Sequence, residues 1–477
     1  MSRPNVILLI LDAVRPDHLS CYGYHRRTTP NIDDIAAEGI LYENAFSNSN
    51  YTAEAHPPIF TGRLPSRCGC YGGDCSLPKE TDLLSERLQA AGYRTFATSA
   101  GAHIREGRGY DRGFDVFHET HRFRPTTETA RKLLKERAYR KQAAFTLTRG
   151  PDDKTRYKFE TLKDFVAAAD PFFAFLNCKT AHYPYNPPRS FKSEYCPDLE
   201  RPRYEFIERL YEAADAQAQR HPDVDIENCR RNPVVFMTDT HSLSKQGLEG
   251  VKSWYDGCIR YLDHRIGQLV ESLRASGTLD DTYLIITADH GEMFGEKGLM
   301  AHRFSLYDTL LRVPLVIRPP GGGDGRRLEK PVSLIDLFAT ILETAGTPRP
   351  DRPHSRNLLP FDNEGEQEHL FAEVGQGSYE TPTEVDSTYE PAPKHAGPLQ
   401  SVRDERFKLI VGPEHTELYD WREDPGEQDD LSDSRPETVA ELSAVLEAET
   451  GDMTAEATSE DQVSDSVEEA LEHLGYR

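Results

Sequence analysis

The chain has 477 residues, with 80 Asp and Glu against 56 Lys and Arg and a formal net charge of −24. That balance excludes a nucleic-acid binder, which needs cations laid along phosphates. An acidic, lysine-poor surface spread over the whole chain instead predicts a halophilic protein, one that unfolds on transfer to low salt.

Residues 6–11 form an apolar run of six that ends in Asp12. It is too short for a signal peptide or a membrane span and reads as a first strand, so a cytoplasmic protein with no membrane span is expected. Residues 31–39 and 81–91 read as helices and 93–98 as a strand, a βαβ rhythm. Residues 119–170 are charged with a helical pattern and read as a cap or peripheral layer. Further strands are expected at 172–177, 234–238, 282–287 and 313–317, with a long helix at about 255–276. The fold class that follows is α/β, a mainly parallel central sheet with helices on both faces. Residues 375–400, rich in Pro, Glu, Thr and Ser, read as a mobile loop. Beyond it, 399–402, 407–411 and 417–420 alternate as short strands and 436–449 as a helix, a small antiparallel α+β subdomain. The division expected is a catalytic domain at 1–362, this subdomain at 363–450, and at 451–477 an acidic tail with a short terminal helix at 467–474.

Eight cysteines show no disulfide-framework spacing. Cys68, Cys70 and Cys75 cluster, but no second Cys/His cluster stands at zinc-finger spacing, so they read as ordinary or free thiols.

The segment 282–292, TYLIITADHGE, is the most informative. A β-branched apolar run delivers Asp289 and His290 side by side at the end of a strand, where open α/β sheets place ligands, and Gly291 lets the backbone turn. Asp12 also follows a strand, so a second carboxylate reaches the same sheet edge if the two strands are near neighbours. Two carboxylates and an imidazole make an oxygen-rich site for a divalent metal. Without a cation such acids must be protonated or repelled apart. Helix capping is the alternative for each. Asp239 with His241 resembles another strand-end pair and ranks below Asp289 and His290. His264, His354 and His369 read as surface or satisfied side chains. Thr52, in YTAEAHPPIFTGR, supplies a hydroxyl nucleophile.

These residues occur in an ordered set. Asp12 comes with Arg15, Asp17, His18 and Cys21-Tyr22-Gly23. Thr52 stands nine residues before Thr61-Gly62, and residues 287–292 are followed by Leu306-Tyr307 and Arg312-Val313-Pro314. With residues 173–188, Asp336 and the late segments RFKLI, ELYDWREDPGEQDDL and HLGYR, the set resembles the sulfatase branch of the alkaline phosphatase superfamily over almost the whole chain. The resemblance implies an alkaline-phosphatase-like three-layer sandwich. It also implies in-line attack by a metal-bound nucleophile on phosphorus or sulfur, and a covalent intermediate that water releases. Carried across, Asp12, Thr52, Asp289 and His290 are metal ligands, with Thr52 also the nucleophile. His182 and His302 bind a substrate oxygen or protonate the leaving group. Glu292 orients its neighbours, and Lys297 lies near the substrate mouth.

Three departures bear on the chemistry. Sulfatases of the arylsulfatase type need Cys or Ser in Cys/Ser-x-Pro-x-Arg for conversion to formylglycine, whereas this chain has Thr52, Glu54 and His56, and the threonine β-methyl blocks that aldehyde. Leu64-Pro65-Ser66-Arg67 imitates the motif with Arg63 where the cysteine belongs. Residues 99–103, SAGAH, lack the family's sulfate-binding lysine, leaving His103 as a substitute, and Ala13 replaces a second aspartate. The expected function is metal-dependent hydrolysis of phosphate mono- or diesters through Thr52. The alternatives are sulfate-ester hydrolysis without formylglycine, phospho-group transfer, and a metal-binding scaffold without turnover. Cys178 stands where two-metal relatives place an aspartate, so one divalent ion is expected, Mn or Ca ahead of Mg or Zn. The substrate is a small-molecule, glycan or lipid-headgroup ester.

Overall fold

The computed structural model describes residues 3–71, 75–99, 103–120, 154–183, 185–195, 245–302, 305–359, 368–375 and 397–451. Strands β1 (Asn5–Leu11), β2 (Ile40–Phe46), β3 (Arg94–Ser99), β4 (Val116–Glu119), β5 (Phe172–Cys178) and β6 (Thr282–Thr287) belong to one large sheet. A short hairpin of β7 (Met293–Phe294) and β8 (Met300–Ala301) precedes three more of its strands, β9 (Arg312–Arg318), β10 (Arg326–Leu328) and β11 (Val332–Ser333). The strand order is β10-β2-β9-β6-β1-β5-β3-β4, with β11 also paired to β2. β1 lies parallel to both β5 and β6, and all seven of its residues are buried, which is why its sequence is apolar without alternation. Among the described strands of this sheet, only β9 runs against its neighbours, β2 and β6.

Helices Pro30–Ala37, Thr155–Val166 and Lys245–Ala275 pack into one group, and helices Thr52–Thr61, Leu84–Ala90 and Asp336–Thr344 into another. They are the outer layers of the sandwich. The long helix begins at Lys245, ahead of the expected start at 255, because the glycines at 247 and 250 do not end it. Strand β2 was not expected. Its sequence, ILYENAF, is interrupted by the half-buried Glu43 and Asn44, and the pairing with β9 shifts register between Tyr42 and Ala45. A bulge of this kind breaks the period on which a strand is recognised.

The second sheet is antiparallel, in the order β12 (Leu370–Val374), β13 (Leu399–Arg403), β14 (Phe407–Val411), β15 (Thr416–Asp420), and helix Pro436–Glu449 packs on β13 and β14. Its core, with Phe371, Val402, Leu409 and Leu442, also takes in Leu64 and Ile335 from the main body. The expected strand at 234–238 with Asp239 and His241, most of the cap at 119–170, the loop at 376–396, the boundary at 362/363 and the turn at 467–474 lie outside the described residues. Among the described residues no helix is long and apolar enough to cross a membrane. One expectation is corrected: Cys70 and Cys75 form a disulfide, while Cys68 stays free. The short loop between two cysteines carried no spacing signal of its own.

A buried ionic cluster joins the two sheets. The fully buried Lys408 donates to Asp308 Oδ1 and Glu427 Oε1, each at 2.6 Å, and Glu427 Oε2 accepts the Asp308 N–H at 2.7 Å. Arg403 also pairs with Asp308, with one bond at 3.0 Å. Although burial raises it, the Asp308 carboxyl is held well below the usual carboxylate range by Arg403 and Lys408. Its stabilisation is therefore present above about pH 4 and is lost only as the pH falls into strong acid. Lys408→Met leaves Glu427 buried without its cation and is expected to cost about 3–5 kcal/mol in chemical denaturation.

Candidate functional site

Strand register builds the site. Ile10 of β1 faces Thr287 of β6, so the next residues but one, Asp12 and Asp289, emerge side by side at the same end of two adjacent parallel strands. The Asp12 N–H donates to Cys178 O at 3.0 Å, extending β1 against β5 by one more bond. Asp12, Asp289 and His290 are fully buried, and one ligand atom from each lies within 4.8 Å of the others. His290 Nε2 is 3.8 Å from Asp12 Oδ1 and 3.7 Å from Asp289 Oδ2.

Burial first, then the charge of Asp289, pushes the Asp12 carboxyl up, and Lys179 and His290 oppose the shift. Both Asp12 oxygens and Asp289 Oδ2 have no hydrogen-bond partner among the described residues. Buried acids without compensation are costly. A divalent cation would supply the compensation, and two carboxylates with an imidazole are a donor set that fits one.

The chain orients these donors. Asp289 Oδ1 accepts the N–H groups of His290 at 3.1 Å and Ala13 at 3.3 Å, which leaves Oδ2 facing the centre. The Nδ1–H of His290 donates to Gly291 O at 2.9 Å, so Nε2 presents its lone pair. Gly291 is required there because a β-carbon would collide with the Thr309 carbonyl oxygen.

Thr52 is the first residue of helix Thr52–Thr61, and its Oγ1 lies 3.1 Å from His290 Nε2. The approach to that helix is fixed by the Ser47 N–H on Leu311 O at 2.7 Å and the Asn50 amide on Ser305 O at 2.7 Å. One turn along, the Nδ1–H of His56 donates to Thr52 O at 2.9 Å and lies 3.7 Å from Asp289 Oδ2. Burial pushes the His56 imidazole down to about 4, so it is neutral, and its buried Nε2 has no hydrogen-bond partner among the described residues.

A row of imidazoles continues outward. His302 stacks on His290 with ring centroids 4.4 Å apart, and His182 meets His302 at 4.8 Å. Glu292 Oε1 holds His302 Nδ1 at 3.1 Å, and the Nδ1–H of His182 donates to Tyr183 O at 2.7 Å. His103 reaches the group through Tyr51, whose hydroxyl is 3.1 Å from its Nε2. Lys297 is placed differently. Its ammonium donates to Glu427 O and lies 5.1 and 5.2 Å from the rings of Tyr307 and Tyr419, so its charge is directed at the C-terminal sheet.

Two supporting residues escaped a functional reading. Arg15 forms a bidentate pair with Asp17 and also donates to Glu292 O at 2.9 Å and Glu296 Oε1 at 2.8 Å, which braces the segment carrying Glu292. Tyr255 bonds to the turn after Asp12. Arg15 stood in the ordered set without a role of its own, and Tyr255 carried no spacing signal, since it acts through backbone atoms far away in sequence.

A family model described as "Sulfatase" matches residues 4–347, and one described as "N-sulphoglucosamine sulphohydrolase, C-terminal" matches residues 295–455. The chain is 25% identical over 455 residues to "Uncharacterized sulfatase YidJ" of Escherichia coli (strain K12), spanning 91% of this chain and 84% of that protein. It is also 25% identical over 491 residues to the N-acetylglucosamine-6-O-sulfatase of Bacteroides thetaiotaomicron, spanning 90% and 82%. Among solved structures, the phosphonate monoester hydrolase of Agrobacterium radiobacter superposes with a TM-score of 0.70 at 22% identity, covering 97% of this chain and 99% of that one. A protein in complex with its substrate D-glucosamine-2-N,6-O-disulfate superposes with a TM-score of 0.68 at 19% identity, covering 94% and 97%.

Proposed function

Because the chain belongs to the sulfatase family and is an ester hydrolase, we propose that it hydrolyses phosphate mono- or diesters with Thr52 as nucleophile. One divalent cation, Mn or Ca by preference, would be held by Asp12, Asp289 and His290, with Thr52 as a fourth donor. The observation that carries this reading is the Thr52 hydroxyl, buried 3.1 Å from His290 Nε2 at the start of a helix. A threonine cannot become formylglycine, so the centre works with an unmodified hydroxyl.

When bound, the cation lowers the hydroxyl pKa and neutralises charge on the substrate's oxygens. Thr52 gives up its proton to solvent and attacks phosphorus in line with the leaving group, whose bond to phosphorus breaks; water then cleaves the phosphorus–Oγ1 bond of the phosphothreonine and returns a proton to Thr52. A sulfated threonine has no such easy exit, because formylglycine sulfatases release sulfate by elimination from the hydrated aldehyde. Of His302, steadied by Glu292, and His182 beside it, one protonates the leaving oxygen and the other bonds a nonbridging oxygen. The helix N-terminus behind Thr52 adds partial positive charge where the transferring group carries negative charge.

The division into a catalytic domain at 1–362, a C-terminal subdomain at 363–450 and a tail is part of the same proposal. Sulfate-ester hydrolysis through unmodified threonine is the second reading, favoured by the sulfatase names of the relatives. Turnover of aryl phosphate diester against aryl sulfate, each with Mn, Ca, Mg and Zn, separates the two. The phosphate diester is expected to be the better substrate, and a strong sulfate preference would reverse the assignment. Metal analysis is expected to return one tightly held ion per chain, and two such ions would contradict the single-metal centre.

A further inference from the structure

Tyr255 stands on helix Lys245–Ala275, far in sequence from the ligands, with its side chain fully buried. A residue that only packed there could as well be phenylalanine, since burying a hydroxyl has a cost unless it is bonded. The Tyr255 hydroxyl is bonded twice, donating to Ala13 O at 2.7 Å and accepting the Arg15 N–H at 2.8 Å. The two bonds bracket the turn that follows Asp12, which the Val14 N–H closes on Leu11 O at 3.1 Å.

Inside that turn Ala13 has φ of 64°, in the left-handed region that residues with a β-carbon avoid. Such conformations persist only where surrounding structure enforces them. In this conformation the Ala13 N–H reaches Asp289 Oδ1 at 3.3 Å. With His290 N–H on the same oxygen, Oδ2 is the atom left for the centre.

Resting on the metal-centre reading above, we infer that Tyr255 is a positioning residue: it holds Ala13 in its left-handed turn and so aims the Asp289 carboxylate at the cation. Without the hydroxyl, Ala13 relaxes toward negative φ and its N–H leaves Asp289. The carboxylate is then free to rotate. The ring contacts of Tyr255 with His18, Tyr185 and Phe294, at centroid distances of 4.9, 5.7 and 5.0 Å, survive a change to phenylalanine, which isolates the hydroxyl.

The test is calorimetric titration of Mn2+ into the metal-free full chain as wild type, Tyr255→Phe, Ala13→Gly and the double variant, with thermal unfolding of each metal-free protein. Tyr255→Phe is expected to bind Mn2+ about tenfold more weakly, and Ala13→Gly close to wild type. In the double variant glycine takes positive φ unaided, so most of the lost affinity returns. Rescue by glycine is a readout that simple loosening of the fold does not give. Wild-type affinity in Tyr255→Phe, or an equal loss in the double variant, overturns the inference. If Tyr255→Phe alone does not fold, the double variant decides: near-wild-type affinity supports the device, and a tenfold loss overturns it. A wild-type protein that binds no divalent ion removes the metal centre itself, a failure distinct from this one.

Discussion

Thr52→Ala is expected to lower metal-dependent turnover of a phosphate diester about 10⁴-fold or more, the scale on which removing a nucleophile acts. The expectation follows from placement. Oγ1 of Thr52 is the buried hydroxyl in contact with His290 Nε2, and the helix that begins at Thr52 directs it to the end of β1 and β6. Thr52→Ser keeps the hydroxyl and is expected to lose about tenfold or less, since its freer rotamer weakens the aim without removing the chemistry. Full activity in Thr52→Ala, measured at saturating metal, would falsify the nucleophile assignment. Metal titration separates the roles, because the alanine variant keeps Asp12, Asp289 and His290 and is expected still to bind the ion, more weakly for want of the Thr52 donor.

Asp289→Asn is expected to weaken divalent binding by about 100-fold or more, since it removes a charged donor while keeping nearly the same shape. The side chain is fully buried, and its Oδ2 lies 3.7 Å from both His290 Nε2 and His56 Nδ1. Binding to the folded chain alone raises stability by mass action. Wild type should therefore melt at higher temperature as Mn2+ is added, while Asp289→Asn should respond little at the same concentrations. A shift in Asp289→Asn equal to wild type would show that the cation sits elsewhere. Chelation of the wild type is expected to abolish turnover and to reverse on adding metal back.

The cluster of Asp12, Asp289 and His290 was largely legible in the sequence because strands buried on both faces read as apolar runs, and β1 and β6 deliver their acids just past the ends of such runs. What the runs could not say was that β1 and β6 are neighbours in register, which pairs Asp12 with Asp289. The antiparallel β2, by contrast, hid behind Glu43, Asn44 and a register shift. His56, His302 and Glu292 were named from motif position, and the structure adds the bonds that orient them: Thr52 O for His56 and the Glu292 carboxylate for His302. Lys297 shows the limit of linear proximity. It follows Glu292 by five positions, yet the hairpin of β7 and β8 turns its ammonium onto Glu427, Tyr307 and, in the C-terminal sheet, Tyr419. Tyr255 and the Cys70–Cys75 bond were invisible for the same reason, since each depends on which backbone atoms or thiols the folded chain brings together.

Catalysis at this site is covalent, through an unmodified threonine acting on a phosphate ester, as proposed above. Its most direct test is rapid acid quench of the enzyme during turnover of an aryl phosphate diester, followed by mass spectrometry of the peptide that contains Thr52. The result expected is a phosphoryl group on Thr52 that still carries the retained ester of the diester, and that is missing from Thr52→Ala. A phosphoryl group on another side chain, or preferred turnover of the aryl sulfate with no adduct at Thr52, would contradict it.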